Sequence, residues 1–396
     1  MAVADLVTGF LGTDLPVRFE AYDGSTSGSA EAPATVVLKS KDALRRIVAR
    51  PGELGFARAY VAGDLDVEGD IYAVLSLGER LPAVRLGASQ VARLVRLVGP
   101  ASLRPLPTPP EEAHLRGQRH SKERDAAAVR HHYDVGNEFY EMVLGPSLTY
   151  SCAVFTSPEE TLEVAQANKY ELVSRKLGLE PGMRLLDVGC GWGGMVLHAA
   201  DMHGVDAVGV TLSHEQFELA SKRAVDGGLS DRVEIRVEDY RDIADGPYDG
   251  ISSIGMFEHV GEARLAEYFA RLFDLLPAGG RLLNHGISRP PGRRARFSKS
   301  SFIDRYVFPD GELHEVGRVI SVIQRAGFEV RHVESLREHY ALTLRHWVAN
   351  LEASWDRAVD LVGPARARVW HLYMAGSALN FEANRTQIHQ VLAVKP

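Results

Sequence analysis

The chain has 396 residues, 45% of them hydrophobic and 24% charged, a composition that supports a full buried core in a soluble globular protein and is too long for one ordinary domain. A formal net charge of −7 excludes a general polyanion binder, so contact with nucleic acid is not expected and contact with anionic lipid must rest on a local basic patch. Two cysteines, Cys152 and Cys190, exclude a disulfide framework, and the absence of a C-x-x-C pair removes the usual zinc signature.

No apolar stretch reaches the ~18 uninterrupted residues of a membrane span. Met1–Phe10 lacks the positive flank of a secretory signal, so a cytoplasmic protein is expected. Residues 1 to about 100 read as a small α/β unit. Val17–Tyr22 and Thr35–Leu38 alternate like the strands of a hairpin, with the Gly/Ser-rich stretch Asp23–Ala34 as its turn. Helical patterns follow at Asp42–Arg50, Gly55–Ala62 and Gly69–Leu81. Residues 83–98 set Arg85, Arg93 and Arg96 among Val and Leu, a basic amphipathic pattern that suits either a membrane surface or the protein's own core.

Pro100–Pro110 holds five prolines in eleven residues, the composition of an extended linker. The expected division is an accessory domain at 1–112 and a larger domain at 113–396. His114–His132 is rich in Arg, Lys and His and reads as a solvated helix face. His131 and His132 are adjacent, so on a helix they diverge and do not share a metal; no metal site is expected.

Beyond residue 182 strand and helix alternate. Met183–Val188 is an apolar strand, and glycines at 189, 191, 193 and 194 lead into a helix at Met195–His203. Asp206–Thr211 is a strand. Ser213–Val225 is a helix with Ser213 as N-cap, Gln216 at the capping-box position and Gly227-Gly228 as terminator. Val233–Val237, Tyr248–Met256 and Arg281–Ser288 read as strands, and Glu262–Leu276 and Glu312–Ala326 as helices. Phe328–Ser335 is a strand, two long helices cover about 343–384, and Gln387–Val394 is a last strand. The fold class this implies is α/β: a doubly wound, mostly parallel sheet covered on both faces, with a smaller N-terminal α/β domain.

In such a sheet a ligand lies across the C-terminal ends of the strands. The glycine spacing selects among ligands. A dinucleotide loop needs G-x-G-x-x-G, whereas here the order is G-x-G-x-G-G, with Asp187 two residues before Gly189. An acid at that point would repel a pyrophosphate but suits the ammonium and sulfonium of S-adenosylmethionine. The other strand ends supply Thr211 and Gln216, Asp239 and Tyr240, Glu258 and His259, and His285. With Thr211 at the tip where many such sheets place an acid, Gln216 is the expected partner of the ribose hydroxyls.

Six ordered runs carry a resemblance. They are His132-Tyr-Asp-Val-Gly-Asn-Glu-Phe-Tyr140, Leu148-Thr-Tyr-Ser-Cys-Ala153, the glycine loop, Val210-Thr-Leu-Ser-His-Glu-Gln216, Glu238-Asp-Tyr-Arg-Asp242 and Gly255-Met-Phe-Glu-His-Val-Gly261. From about 130 to 395 the chain resembles the cyclopropane-fatty-acyl-phospholipid synthases and is similar to the mycolic acid cyclopropane synthases. The resemblance implies a class I S-adenosylmethionine methyltransferase domain at 113–396 and a lipid-binding accessory role for 1–112. It also implies methyl transfer to a cis double bond in a phospholipid acyl chain, followed by loss of a proton to a bound bicarbonate.

Residue by residue, the resemblance implies a catalytic cluster of Cys152, Glu258, His285 with the backbone of Ile287, and Tyr340. It places Tyr133, Asp187, Gly189, Gly191 and Gly193 on the cofactor, Thr211 and Gln216 at its ribose, and Asp239 and Tyr240 by the adenine. An alkene is a poor nucleophile, and its methylated form is a carbocation that calls for aromatic faces and no water. Tyr133, Tyr140, Phe257 and Tyr340 are candidates for that wall. A glutamate beside an anion must be protonated or hydrogen-bonded through water to avoid repulsion, so Glu258 is expected to have a raised pKa.

Departures from the family pattern leave the product open between a cyclopropane and a 10-methylene chain of the tuberculostearic type. Ser377 stands where members often carry cysteine, and Glu382 follows Phe381 where they carry arginine. The implied partners are an unsaturated phospholipid, the inner membrane surface, approached peripherally by the 83–98 stripe or by Arg293, Arg294, Arg296 and Lys299 of the 289–305 loop, and a second copy in a homodimer. Two other readings stay open: methylation of N or O in a soluble small molecule, and a non-catalytic lipid- or cofactor-binding protein.

Overall fold

The computed structural model describes residues 2–11, 15–80, 106–113, 135–292, 301–309 and 311–396. The amphipathic stretch 83–98, most of the proline linker, His131, His132, Tyr133, and the loop cations Arg293, Arg294, Arg296 and Lys299 lie outside the described residues. The chain forms two compact units, each discontinuous in sequence: 1–114 with 298–309 and 355–379, and 115–297 with 310–354 and 380–396. The first unit therefore holds segments from within 113–396 as well as the N-terminal stretch.

The N-terminal stretch contains α1 (Val3–Leu11), β1 (Arg18–Ala21), β2 (Thr26–Ser27), β3 (Ala34–Leu38), α2 (Lys41–Ala49), α3 (Glu53–Val61), β4 (Leu65–Gly69) and α4 (Ile71–Arg80). The three helices read from periodicity are present. The expected hairpin is not: β1 pairs antiparallel with β2 and parallel with β3, giving the order β2-β1-β3-β4. The cause is local. Ala21 N donates to Ser25 O at 2.9 Å and Gly24 takes φ +80°, so the chain reverses well before Thr35 and must then cross β1 to pair again. β4 was not anticipated because Asp66 and Glu68 break its short apolar run.

The second unit opens with α5 (Asn137–Leu144) and α6 (Leu162–Leu177), followed by β5 (Arg184–Val188), α7 (Gly194–His203), β6 (Asp206–Thr211), α8 (His214–Asp226) and β7 (Val233–Val237). Next come β8 (Gly250–Ile254), α9 (Phe257–Val260), α10 (Leu265–Asp274) and β9 (Arg281–Ser288). α11 (Phe302–Tyr306) falls in the first unit. The second unit continues with α12 (Val316–Arg325), β10 (Glu329–Ser335) and α13 (Arg337–Ala353); α14 (Trp355–Val362) and α15 (Pro364–Glu382) as far as Leu379 fall in the first unit, and β11 (Gln387–Val394) returns to the second. Where two long helices were expected over 343–384 there are three, broken at Ser354 and at Gly363, whose φ of +78° a helix interior does not accept.

The seven strands run β10-β11-β9-β8-β5-β6-β7. β9, β8, β5, β6 and β7 are mutually parallel, and β11 inserts antiparallel between β9 and β10. Alternate side chains serve opposite layers, as a doubly covered sheet requires. Leu185 and Leu283 pack with Val173 of α6 and Val196 of α7, whereas Leu186 and Leu282 pack with Phe269 of α10 and Ile323 of α12. The chain winds outward from β5 in one direction and from β8 in the other, and that reversal opens a crevice at the C-terminal strand ends.

Candidate active site

The crevice is a cavity of about 190 Å³. Asp187 closes β5 and is buried; its Oδ1 accepts from Ser252 Oγ at 2.6 Å. Burial pushes its carboxyl up to about 6, opposed by the Ser252 hydrogen bond and by the charge of Lys169. The chain then turns through Gly189 at φ +80°. A side chain at Gly194, where α7 begins, would collide with the Tyr170 hydroxyl, so the loop stays close to the wall and its helix N-terminus faces the cavity. Trp192 Nε1 donates to Asn137 Oδ1 at 2.8 Å, tying the loop to α5.

Thr211, Gln216, Asp239 and Tyr240 stand on the same wall as Asp187, Gly189 and Gly191. Gly193 caps α7 and is not on that wall. Ser213 caps α8 as expected, accepting from Gln216 N at 3.2 Å. The Gln216 side chain does not close a capping box, however. Its Oε1 accepts from Thr211 Oγ1 at 2.7 Å, and Thr211 Oγ1 in turn accepts from Ser213 N at 3.2 Å. The Gln216 amide NH2 is thereby oriented by Thr211. Asp239 is held by Arg241, whose backbone N and Nε donate to Oδ1 at 3.0 and 2.7 Å. Lys169, Tyr170, Ser151 and Trp192 also build this wall; the sequence reading missed all four as site residues, although Thr161 and Gly178 are recognisable caps for α6.

Cys152, Glu258, His285 and Tyr340 are all buried and none lies on the cavity wall, although their neighbours Ser151, Met256 and His259 do. His285 is linked to the wall through its carbonyl, which accepts from Gly255 N at 2.8 Å. Glu258 Oε1 accepts from Ile287 N at 2.6 Å, and Ile287 pairs with Ile388 across β9 and β11. The Ile388 carbonyl accepts from Leu336 N at 3.0 Å, and the Leu336 carbonyl receives both Tyr340 N at 3.1 Å and the Cys152 thiol at 3.7 Å. The four residues thus string along the crevice end of the β9–β11–β10 edge. Burial pushes the Cys152 thiol well above its usual range, so it is neutral.

A second chain of contacts fixes a proton. Lys176 Nζ donates to Gln390 Oε1 at 2.5 Å, so the other end of that amide, Nε2, is the donor to His285 Nδ1 at 3.1 Å. Burial depresses the His285 pKa to about 3, helped by the charges of Lys169 and Lys176. A neutral ring that accepts at Nδ1 must carry its hydrogen on Nε2, and that buried atom has no partner. Burial likewise raises Glu258 to about 7, and its buried Oε2 has no partner either. Two buried polar atoms without a partner, an imidazole N–H and a carboxyl oxygen whose proton is held more tightly than usual, therefore belong to β9 and α9, which are joined through Ile287. Such a pair fits a small oxyanion.

Aromatic rings run from the glycine loop toward this edge. Trp192, Tyr140, Tyr150, Trp347, Tyr340 and Phe381 follow one another with centroid separations of 4.8, 5.9, 5.3, 6.0 and 4.7 Å. Of the four rings expected to form a wall, Tyr140 and Tyr340 belong to this series. Phe257 lies apart, against Gly286 and 6.3 Å from His314, and Tyr133 is outside the described residues. Glu382, one of the departures from the family pattern, is paired with Arg345 at 2.5 Å.

Comparison with known proteins agrees with this geometry. The family model described as mycolic acid cyclopropane synthetase matches residues 120–391. Over 100% of its length the chain is 49% identical to a probable fatty acid methyltransferase of Mycobacterium tuberculosis and 39% identical to one of Pseudomonas putida, covering 95% of each. The crystal structure of mycolic acid cyclopropane synthase CmaA1 complexed with SAH and CTAB is 34% identical and superposes with a TM-score of 0.64, over 68% of this chain and 98% of that one. The chain belongs to the mycolic acid cyclopropane synthetase family, and it is an S-adenosylmethionine-dependent methyltransferase with the class I fold.

Proposed function

We propose that this enzyme methylates the cis double bond of an unsaturated phospholipid acyl chain and then removes a proton from the product cation, leaving a cyclopropane or a methylene branch. The observation that carries this reading is the pair of buried polar atoms without partners, Glu258 Oε2 and His285 Nε2. A methyltransferase acting on N or O has no use for an oxyanion held in a dry pocket. A carbocation must lose a proton there, and even a weak base suffices. The two relatives named above both have fatty acid in their names, which supports an acyl acceptor.

S-adenosylmethionine, when bound, supplies an electrophilic methyl group, and bicarbonate would supply the base. Asp187, the glycine loop, Thr211, Gln216, Asp239 and Tyr240 would hold the first; Glu258, His285, the Ile287 backbone, Cys152 and Tyr340 would hold the second. The chain's own work is to align a poor nucleophile and keep water out, and proximity supplies much of the rate. The ring series ending at Tyr340 and Phe381 presents π faces to positive charge. Ring closure and a hydride shift followed by methylene formation begin from the same cation. An acyl chain in a bilayer places the enzyme on the inner membrane surface; among the described residues no helix is long and apolar enough to cross a membrane.

The test is incubation with vesicles of unsaturated phospholipid and methyl-labelled S-adenosylmethionine. Label recovered in the released fatty acid supports the proposal, and proton NMR then separates cyclopropane from methylene. Label confined to the head group, or to a soluble acceptor offered in the same tube, refutes it.

A further inference from the structure

Lys169 sits in the middle of α6 with 1% of its surface exposed. Its ammonium donates to Ser151 Oγ at 3.1 Å and lies 3.8 Å from the centre of the Tyr170 ring. Among the described residues it forms no ion pair. A buried ammonium without a counter-ion is strongly disfavoured, and a helix that needed only volume there would be better served by Met or Leu. The position makes sense if the missing negative charge arrives with a ligand. The Lys169 side chain and Ser151 both reach the wall of the cofactor cavity, which they share with Asp187 and the glycine loop.

Two opposite charges therefore face one cavity without pairing directly. The amino-acid end of S-adenosylmethionine carries the complementary pair, a carboxylate and an ammonium on a single carbon. We propose that Lys169, with Ser151, receives the cofactor's carboxylate while Asp187 takes its ammonium, so that Lys169 selects the intact amino-acid end. This rests on the identity of the cofactor and is independent of whether the acceptor is a lipid. Burial holds Lys169 down to about 7, against the attraction of Asp187, which agrees with a site whose charge is completed by its ligand.

The test compares three ligands by calorimetry: S-adenosylhomocysteine, its decarboxylated analogue and 5′-methylthioadenosine. Wild type is expected to bind the intact compound about 10- to 100-fold more tightly than the decarboxylated one, the range for a hydrogen bond to a charged group. Lys169→Met should bring the two affinities to within about 3-fold, and Lys169→Arg should restore part of the difference. Equal affinities in wild type overturn the proposal without recourse to any variant, as does a Lys169→Met protein that weakens both ligands alike. Failure of wild type to bind S-adenosylhomocysteine at all would strike the cofactor assignment and the proposal with it. Activity on a soluble acceptor in place of lipid, with the ligand discrimination intact, would refute the lipid reading and leave this one standing.

Discussion

Ile287 N donates to one oxygen of Glu258 at 2.6 Å, and the other oxygen of that carboxyl is buried with no partner. The backbone of β9 therefore fixes the carboxyl of α9 two residues along the strand from His285. Fixed aim and an unused donor are what a small bound base requires.

Replacing that carboxyl tests its part in the chemistry. Glu258→Gln keeps size and one acceptor for Ile287 N but cannot exchange a proton. Turnover is expected to fall about 100-fold while S-adenosylhomocysteine binds as in wild type, because Glu258 is not on the cofactor cavity wall. Steady-state kinetics with calorimetry checks both, and unchanged turnover removes Glu258 from the mechanism.

The same substitution has a signature in stability. The folded pKa of about 7 stands above the usual 4.5, so the folded state holds the Glu258 proton more tightly than the unfolded state does. The wild-type contribution is fully present below pH 4.5 and is lost as pH rises through about 7. Urea denaturation at a series of pH values should show Glu258→Gln gaining on wild type across that window, by about 3 kcal/mol at its upper end. A constant difference from pH 5 to pH 8 would mean that the carboxyl is not held neutral.

Gln390 sets the His285 tautomer, and Gln390→Glu reverses its sense. A carboxylate there accepts from both sides, so His285 must carry its hydrogen on Nδ1 and loses the Nε2 donor. Turnover is expected to drop by about 100-fold, with nitrogen NMR showing the tautomer switch. A variant that retains the wild-type tautomer and rate would break the link from Lys176 through Gln390.

Gly286 lies between His285 and Ile287, and a Cβ there would run into the Phe257 ring. Gly286→Ala should lower stability by about 1–3 kcal/mol through overpacking. Combining it with Phe257→Leu should recover part of that loss. Additive losses in the double mutant would show that the two positions do not meet.

The legible parts of the sequence were those where turn chemistry and periodicity agree. Glycines after an apolar strand located the cofactor loop, and Ser213 with Gly227 bounded α8. α6 escaped notice because its inward face includes Gln166, Lys169 and Ser174, which break the apolar period. All three are buried and Lys169 lies on the cavity wall, so the pattern failed beside the site itself. The Gln390–His285 contact spans 105 residues and depends on the antiparallel register of β11, which local sequence does not encode. The early turn at Gly24 misled for the opposite reason: a short, strong local signal lay within a stretch read as one long loop.

The most direct test of the central claim is a count of deuterium. With the cofactor's methyl group fully deuterated and unsaturated phospholipid vesicles as acceptor, mass spectrometry of the released fatty acid should find two of the three deuterons retained, because the proton lost on ring closure or methylene formation comes from the transferred carbon. A product that keeps all three would be a simple methylation, and the account of a cation deprotonated beside Glu258 and His285 would be contradicted.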